Sequence, residues 1–151
     1  MARYSVTSNK AGVNTANTIM WQLRPVTNRS YLLELGLSVA VAPTTGPEFI
    51  LSRSLTLGTA SGTPVVPQIE GSLGKAATLL LDTAWSVAPT TATIPMRRYA
   101  VPNAIGSGVV WTWYDKPLEI DLGATFAIQI INGNATGATL GNLDIYAVID
   151  E

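Results

Sequence analysis

The 151 residues include no cysteine and no histidine. Without them the chain builds no Ser/His/Asp triad, no thiolate nucleophile, no histidine-bearing metal site and no cysteine zinc site. Cupin-like metal enzymes, which share a β-rich architecture but use histidine ligands, are excluded on the same ground. Charge is scarce as well. Only 13% of residues are charged, about half the roughly 25% usual for soluble domains, whereas the apolar fraction of 47% is ordinary. Thr, Ser, Asn, Gly and Ala must therefore cover much of the exterior, and such a surface associates readily. The only lysines, Lys10, Lys75 and Lys116, are scattered, and nine basic residues against ten acidic ones leave a net charge of −1. Neutralising phosphates needs clustered Lys and Arg, so no nucleic-acid partner is expected.

Long apolar runs are missing too, because Gly, Pro, Asn and Thr interrupt the uncharged stretches. The beginning, Met1-Ala2-Arg3-Tyr4-Ser5-Val6-Thr7, lacks the apolar segment of a secretory signal. The expectation is a soluble chain made in the cytoplasm with no membrane partner. Gly71-Ser72-Leu73-Gly74-Lys75 resembles a phosphate-binding turn only in its glycines: the spacing is wrong and no Ser or Thr follows the lysine. It reads as a loop, and no cofactor and no metal are expected.

What is present points to β-structure. Val, Ile and Thr are abundant, and the 13 Gly and 9 Pro are spread along the chain, as many short strands joined by turns require. In residues 31–41, Tyr31, Leu33, Leu35, Leu37, Val39 and Val41 alternate with a smaller or more polar set, which predicts a strand with one buried face. Leu118, Ile120 and Leu122, then Phe126, Ile128 and Ile130, flank Gly123-Ala124 and predict a tight hairpin. Residues 143–149 place Leu143, Ile145, Ala147 and Ile149 on one side, with a partly apolar second side that suggests burial on both. Weaker strands are expected near 4–7, 18–24, 48–57, 94–101 and 109–114. From 58 to 95 the alternation fades into a long irregular excursion that covers a sheet or reaches a neighbour, with one apolar island at 76–81, strand or helical turn. The whole chain, 1–151, reads as a single all-β domain: a jelly-roll-like two-sheet antiparallel sandwich of about 8–10 strands.

Several residues stand out as candidates. Arg53 falls in phase with Phe49, Leu51 and Leu55, so it must reach the rim, pair with a carboxylate or meet another subunit. Trp111 and Trp113 share a strand phase and serve a core, a subunit interface or a platform for sugar rings. Arg97 and Arg98 project to opposite sides of one strand, and an interface would use them. Glu119 and Asp121 share a face at a spacing that glycoside hydrolysis permits, but their alternation with Leu118, Ile120 and Leu122 is that of a solvated strand. Asp144, Asp150 and Glu151 offer at most a weak Ca²⁺ site, without a recognised spacing. Residues 1–15, with Tyr4 and Val6 alternating against Ser5 and Thr7, form either an arm that adds a strand to a neighbour or an ordinary first strand.

Three segments carry a likeness to a known family: Ala2-Arg3-Tyr4-Ser5-Val6-Thr7; Pro95-Met96-Arg97-Arg98-Tyr99-Ala100-Val101-Pro102 followed by Ile105-Gly106-Ser107-Gly108-Val109-Val110-Trp111; and Thr125-Phe126-Ala127-Ile128-Gln129-Ile130-Ile131-Asn132 before a Gly/Asn-rich turn. In these, and in its cysteine-free Thr/Ala/Gly-rich texture, the chain resembles the β-sandwich decoration proteins of tailed-bacteriophage heads. The resemblance implies a non-enzymatic jelly-roll subunit, commonly a homotrimer, made in the host cytoplasm. It would sit on the capsid exterior of the virion and cement neighbouring copies of the major capsid protein against internal DNA pressure. The rival expectations are a carbohydrate- or receptor-binding jelly-roll module of a phage fibre, stacking glycans on Trp111, Trp113 or Trp85, and a hydrolase using Glu119 and Asp121.

Overall fold

Leu143, Ile145, Ala147 and Ile149 are all buried between half-buried neighbours, and this period of two makes the stretch an interior strand of an all-β sandwich. The computed structural model describes residues 1–71 and 74–151. Fourteen strands occur among the described residues: β1 (Arg3–Ala11), β2 (Ile19–Arg24), β3 (Ser30–Val39), β4 (Glu48–Thr56), β5 (Thr59–Ala60), β6 (Gln68–Ile69), β7 (Leu80–Asp82), β8 (Trp85–Val87), β9 (Thr90–Thr91), β10 (Arg97–Ala100), β11 (Gly108–Thr112), β12 (Leu118–Ile120), β13 (Ile128–Asn132) and β14 (Asn142–Asp150). Of the Gly71–Lys75 loop, Ser72 and Leu73 lie outside the described residues.

Eight of these strands make the sandwich. One sheet runs β11-β3-β14-β1, with β12 continuing β11 along β3 and short β6 beyond β1; the other runs β10-β4-β13-β2, with β7 beyond β2. All pairs are antiparallel, and β1, β2, β3 and β4 alternate between the sheets, as do β10 and β11, then β13 and β14. This is the winding of a jelly roll. Trp21, Leu23, Leu35, Phe49, Leu51, Ile128 and Ile145 fill the space between the sheets, each contributing about 1.5–3 kcal/mol by leaving water.

Two bulges shift the phases that alternation alone implies. Between the pairs Val148↔Glu34 and Ile149↔Leu32, β3 carries Leu33 as an extra residue, so Leu32 enters the core and Tyr31 points outward, the reverse of the expected set. At β2 the register slips between Ile130↔Trp21 and Ile131↔Ile19, which brings both Met20 and Trp21 into the core and leaves Ile19 in a second cluster with Ile50 and Ile131. The hairpin expected over 118–130 does not form. β12 pairs with β3 and β13 pairs with β2 and β4, so the chain crosses between sheets through Gly123 (φ +121°) and a 3-10 turn, Ala124–Phe126, leaving Leu122 and Phe126 exposed.

The excursion at 58–95 stays with its own sandwich. Its apolar island is extended, with Ala77, Leu79 and Leu81 buried in the main core. The Glu151 carboxylate fastens it, accepting from Leu79 N (2.7 Å), Thr78 N (2.9 Å) and Ser30 Oγ (2.8 Å). Further along, the excursion roofs the outer side of the second sheet over a buried polar row. Gln129 Nε2 donates to Gln22 Oε1 (3.0 Å), Gln22 Nε2 to Leu57 O (3.0 Å) and Thr91 Oγ1 to Gln129 Oε1 (2.8 Å), so the two amides find their partners in each other and in the roof. The sandwich therefore has one covered outer face and one bare one.

Candidate interaction surface

The bare face belongs to β1, β14, β3 and β11/β12, and the strand registers assign its residues in four cross-strand rows. They read Arg3-Asp150-Tyr31-Glu119, Ser5-Val148-Glu34-Thr112, Thr7-Tyr146-Gly36-Val110 and Asn9-Asp144-Ser38-Gly108. Every carboxylate in these rows already has a donor. Arg3 Nε meets Asp150 at 3.1 Å, Arg29 Nε meets Glu119 at 2.7 Å, and Asn9 Nδ2 reaches Asp144 at 2.5 Å. Glu34 accepts two phenols, Tyr146 Oη at 2.6 Å and Tyr114 Oη at 2.9 Å. Gly36 is the residue that lets this happen: a Cβ there would sit inside the Tyr146 ring.

The Glu34 hydrogen bond, with smaller contributions from burial and the carboxylate's charge, pushes the Tyr146 phenol up to about 12. Tyr114 is raised for the same leading reason. A folded value above the ordinary 10.0 means that this contribution to stability is fully present below about pH 10 and is lost between about pH 10 and 12. Ultraviolet phenolate titration checks this. Glu34→Gln should bring both late-titrating tyrosines, Tyr146 and Tyr114, back toward the ordinary range, and an unchanged titration curve would show that Glu34 does not hold the phenols.

The singled-out residues scatter. Tyr4 and Val6 are core residues, not part of an arm: β1 pairs with β14 from Arg3 to Ala11 and with β6 on its other side, and Tyr4 Oη donates to Lys75 O at 2.8 Å. The burial of alternate β1 side chains gives a reason for the strand to stay in its own sheet. Arg53 leaves the core phase by reaching the end of the sandwich, where it donates to Phe126 O and lies 6.0 Å from the Phe126 ring. Burial lowers its pKa. Trp111 is a core residue, 6% exposed. Trp113 is half-buried, with the Arg97 guanidinium 4.9 Å from its ring across the open side between β10 and β11. Arg98 turns the other way and pairs with Glu48.

These positions leave no sugar platform of paired open indoles. Trp85, the third candidate, is half-buried beside Lys10 Nζ, 5.5 Å from the ring centre, and Lys10 itself donates to Met20 O (3.0 Å) and Thr83 O (2.5 Å). Glu119 and Asp121 do come together, but around Arg29, whose Nη2 meets Asp121 at 2.8 Å; this guanidinium holds the Asp121 carboxyl below its ordinary range. The guanidinium ties both carboxylates into ion pairs at the surface. Asp144, Asp150 and Glu151 diverge to Asn9, Arg3 and the Thr78-Leu79 segment, so they share no cation site.

Sequence reasoning missed the bare face itself, because it exists only once β1, β14, β3 and β11 are placed side by side. Compared with protein families, with characterised proteins and with solved structures, the chain matches no family model, no characterised protein and no solved structure.

Proposed function

We propose that this chain is a non-enzymatic structural protein that binds the outside of a tailed-phage capsid as a homo-oligomer, a trimer in the arrangement the resemblance implies, and cements the shell. One observation carries the reading: the outer face of β11-β3-β14-β1 is bare, and each of its carboxylates is already ion-paired or hydrogen-bonded within the chain. Burying a carboxylate in an interface costs several kcal/mol when it arrives unpaired. Here Asp150, Glu119, Glu34 and Asp144 each bring their donors with them. Tyr31, Tyr146 and Tyr114 add aromatic side chains of the kind that anchor interfaces, and Val110 and Val148 add apolar area. Self-association through this face suits the sparse charge, and oligomers multiply weak contacts with a lattice because the second and third engagements are intramolecular.

Two measurements test it. Light scattering in dilute solution should give a mass that is a multiple of the single chain, and Val110→Arg combined with Thr7→Arg should return it to the single-chain value. Purified virions should contain the chain in fixed ratio to the major capsid protein, and wild-type protein should co-sediment with expanded empty capsids of the parent phage. A solitary chain that ignores those capsids would overturn the proposal.

A further inference from the structure

The four connections at one end of the sandwich, 12–18, 40–47, 101–107 and 133–141, contain no charged residue; the charge at their margin is Glu48, which lies against Gly133 and is paired with Arg98. At the opposite end Arg29 precedes β3 and Asp121 follows β12, paired with each other. The separation is invisible along the chain, because these segments are far apart in sequence and meet only through the jelly-roll winding.

The neutral end is also held in one shape. Gly137 N donates to Asn14 O (2.7 Å) and Gly12 N to Gly141 O (2.9 Å), tying 12–18 to 133–141. Thr44 N donates to Thr139 O (3.1 Å) and Asn134 Nδ2 to Gly46 O (2.8 Å), tying 133–141 to 40–47. Val101 N donates to Pro47 O and Gly106 N to Val39 O, both at 2.9 Å, which adds 101–107. From this braced base the aliphatic side chains of Ile105 and Val41 project, 69% and 51% exposed, among Ala42, Ala104 and Thr139. Small side chains lose little rotamer freedom on burial, and a preformed surface avoids the ordering cost that mobile loops incur. Charge depletion with exposed aliphatics is the composition of an interface centre. It fits neither a polyanion nor an acidic membrane, both of which require Lys and Arg.

Resting on the decoration reading, we infer that this charge-free end is the capsid-facing end, docking through Val41 and Ile105 onto an uncharged, apolar patch of the major capsid protein, while the bare sheet face joins copies of the chain to each other. The test is co-sedimentation with expanded empty capsids at low and high salt, using Val41→Lys/Ile105→Lys, Ala42→Asp as a second variant at the same end, and Leu122→Lys at the opposite end. All replace exposed side chains, and unfolding midpoints confirm folding. Wild-type binding should change by less than about twofold with salt, because no ion pairs are screened. The end variants should bind about tenfold or more weakly, since each buries an unpaired charge, with mass in solution unchanged, and Leu122→Lys should bind as wild type. Wild-type binding with undiminished binding of the end variants, or equal loss with Leu122→Lys, overturns the assignment alone. Failure of the wild-type chain to bind overturns the decoration reading and the assignment with it.

Discussion

Arg24→Ala should lower the free energy of unfolding by about 3–5 kcal/mol, the cost of stripping the partner from a buried charge. Asp82 is 1% exposed, on β7, and pairs with the Arg24 guanidinium of the neighbouring strand β2. Its other oxygen, Oδ1, has no hydrogen-bond partner among the described residues. Arg24 is therefore the group that keeps this carboxylate tolerable in the roofed outer layer of the second sheet. The arginine itself is partly open to solvent, so its removal creates little cavity and the effect isolates the charge. Adding Asp82→Asn to Arg24→Ala should recover a large part of the loss, because an amide needs no countercharge. Denaturant unfolding reads both variants as shifts in midpoint at constant slope. A loss under about 1 kcal/mol for Arg24→Ala would mean that water reaches Asp82 and that the roof over β2 and β13 is loose. Because β7 is pinned by this pair, the same variant should expose the 58–79 segment to proteolysis before global unfolding.

The parts of this architecture that were legible in the sequence are those where one strand runs without interruption across one buried face. Residues 143–149 keep strict alternation, and each expected inward residue is buried. Trp111 is core for the same reason: it shares the phase of Val109, which packs against the main cluster. Where a single residue is inserted, the period inverts without any local sign. Leu33 is as apolar as its neighbours, so nothing in residues 31–41 marks it as the bulge that swaps Tyr31 for Leu32. The hairpin expected over 118–130 failed because a glycine turn between two apolar strands is compatible with return to the same sheet or crossing to the other, and only the pairing of β12 with β3 and of β13 with β2 and β4 decides. The second face of β14 looked buried because Tyr146 and Val148 are bulky; both are half-buried, on the bare side.

The two surfaces differ in legibility for a related reason. The carboxylates of the sheet face are satisfied by partners distant in sequence, such as Tyr146 and Tyr114 on Glu34 or Arg3 on Asp150, so composition alone registers only scarce charge. The charge-free end was present in the sequence as four uncharged stretches, but their conjunction belongs to the winding. Both surfaces are defined by which backbone segments meet, which a catalogue of reactive side chains along the chain does not register.

That dependence on backbone proximity has a direct test in Gly141→Ala, which should cost about 3 kcal/mol, toward the upper end of what overpacking causes. A Cβ on Gly141 would fall inside the contact radius of Val41 O and close to the Ala42 carbonyl carbon, so it strikes backbone that no rotamer change can remove. Relief requires moving 40–47 away from 133–141, which breaks the Thr44 N and Thr45 N hydrogen bonds to Thr139 O. Gly62→Ala is the matched control: its Cβ meets nothing within 4 Å, and the substitution should be neutral or slightly stabilising through the unfolded chain. Hydrogen exchange at the Thr44 and Thr45 amides should accelerate in Gly141→Ala and remain unchanged in Gly62→Ala, while the Tyr146 and Glu34 side of the molecule keeps its late phenol titration in both. If Gly141→Ala proves as mild as its control, the connections at this end are separable, and the braced geometry on which the proposed docking surface rests does not hold in solution.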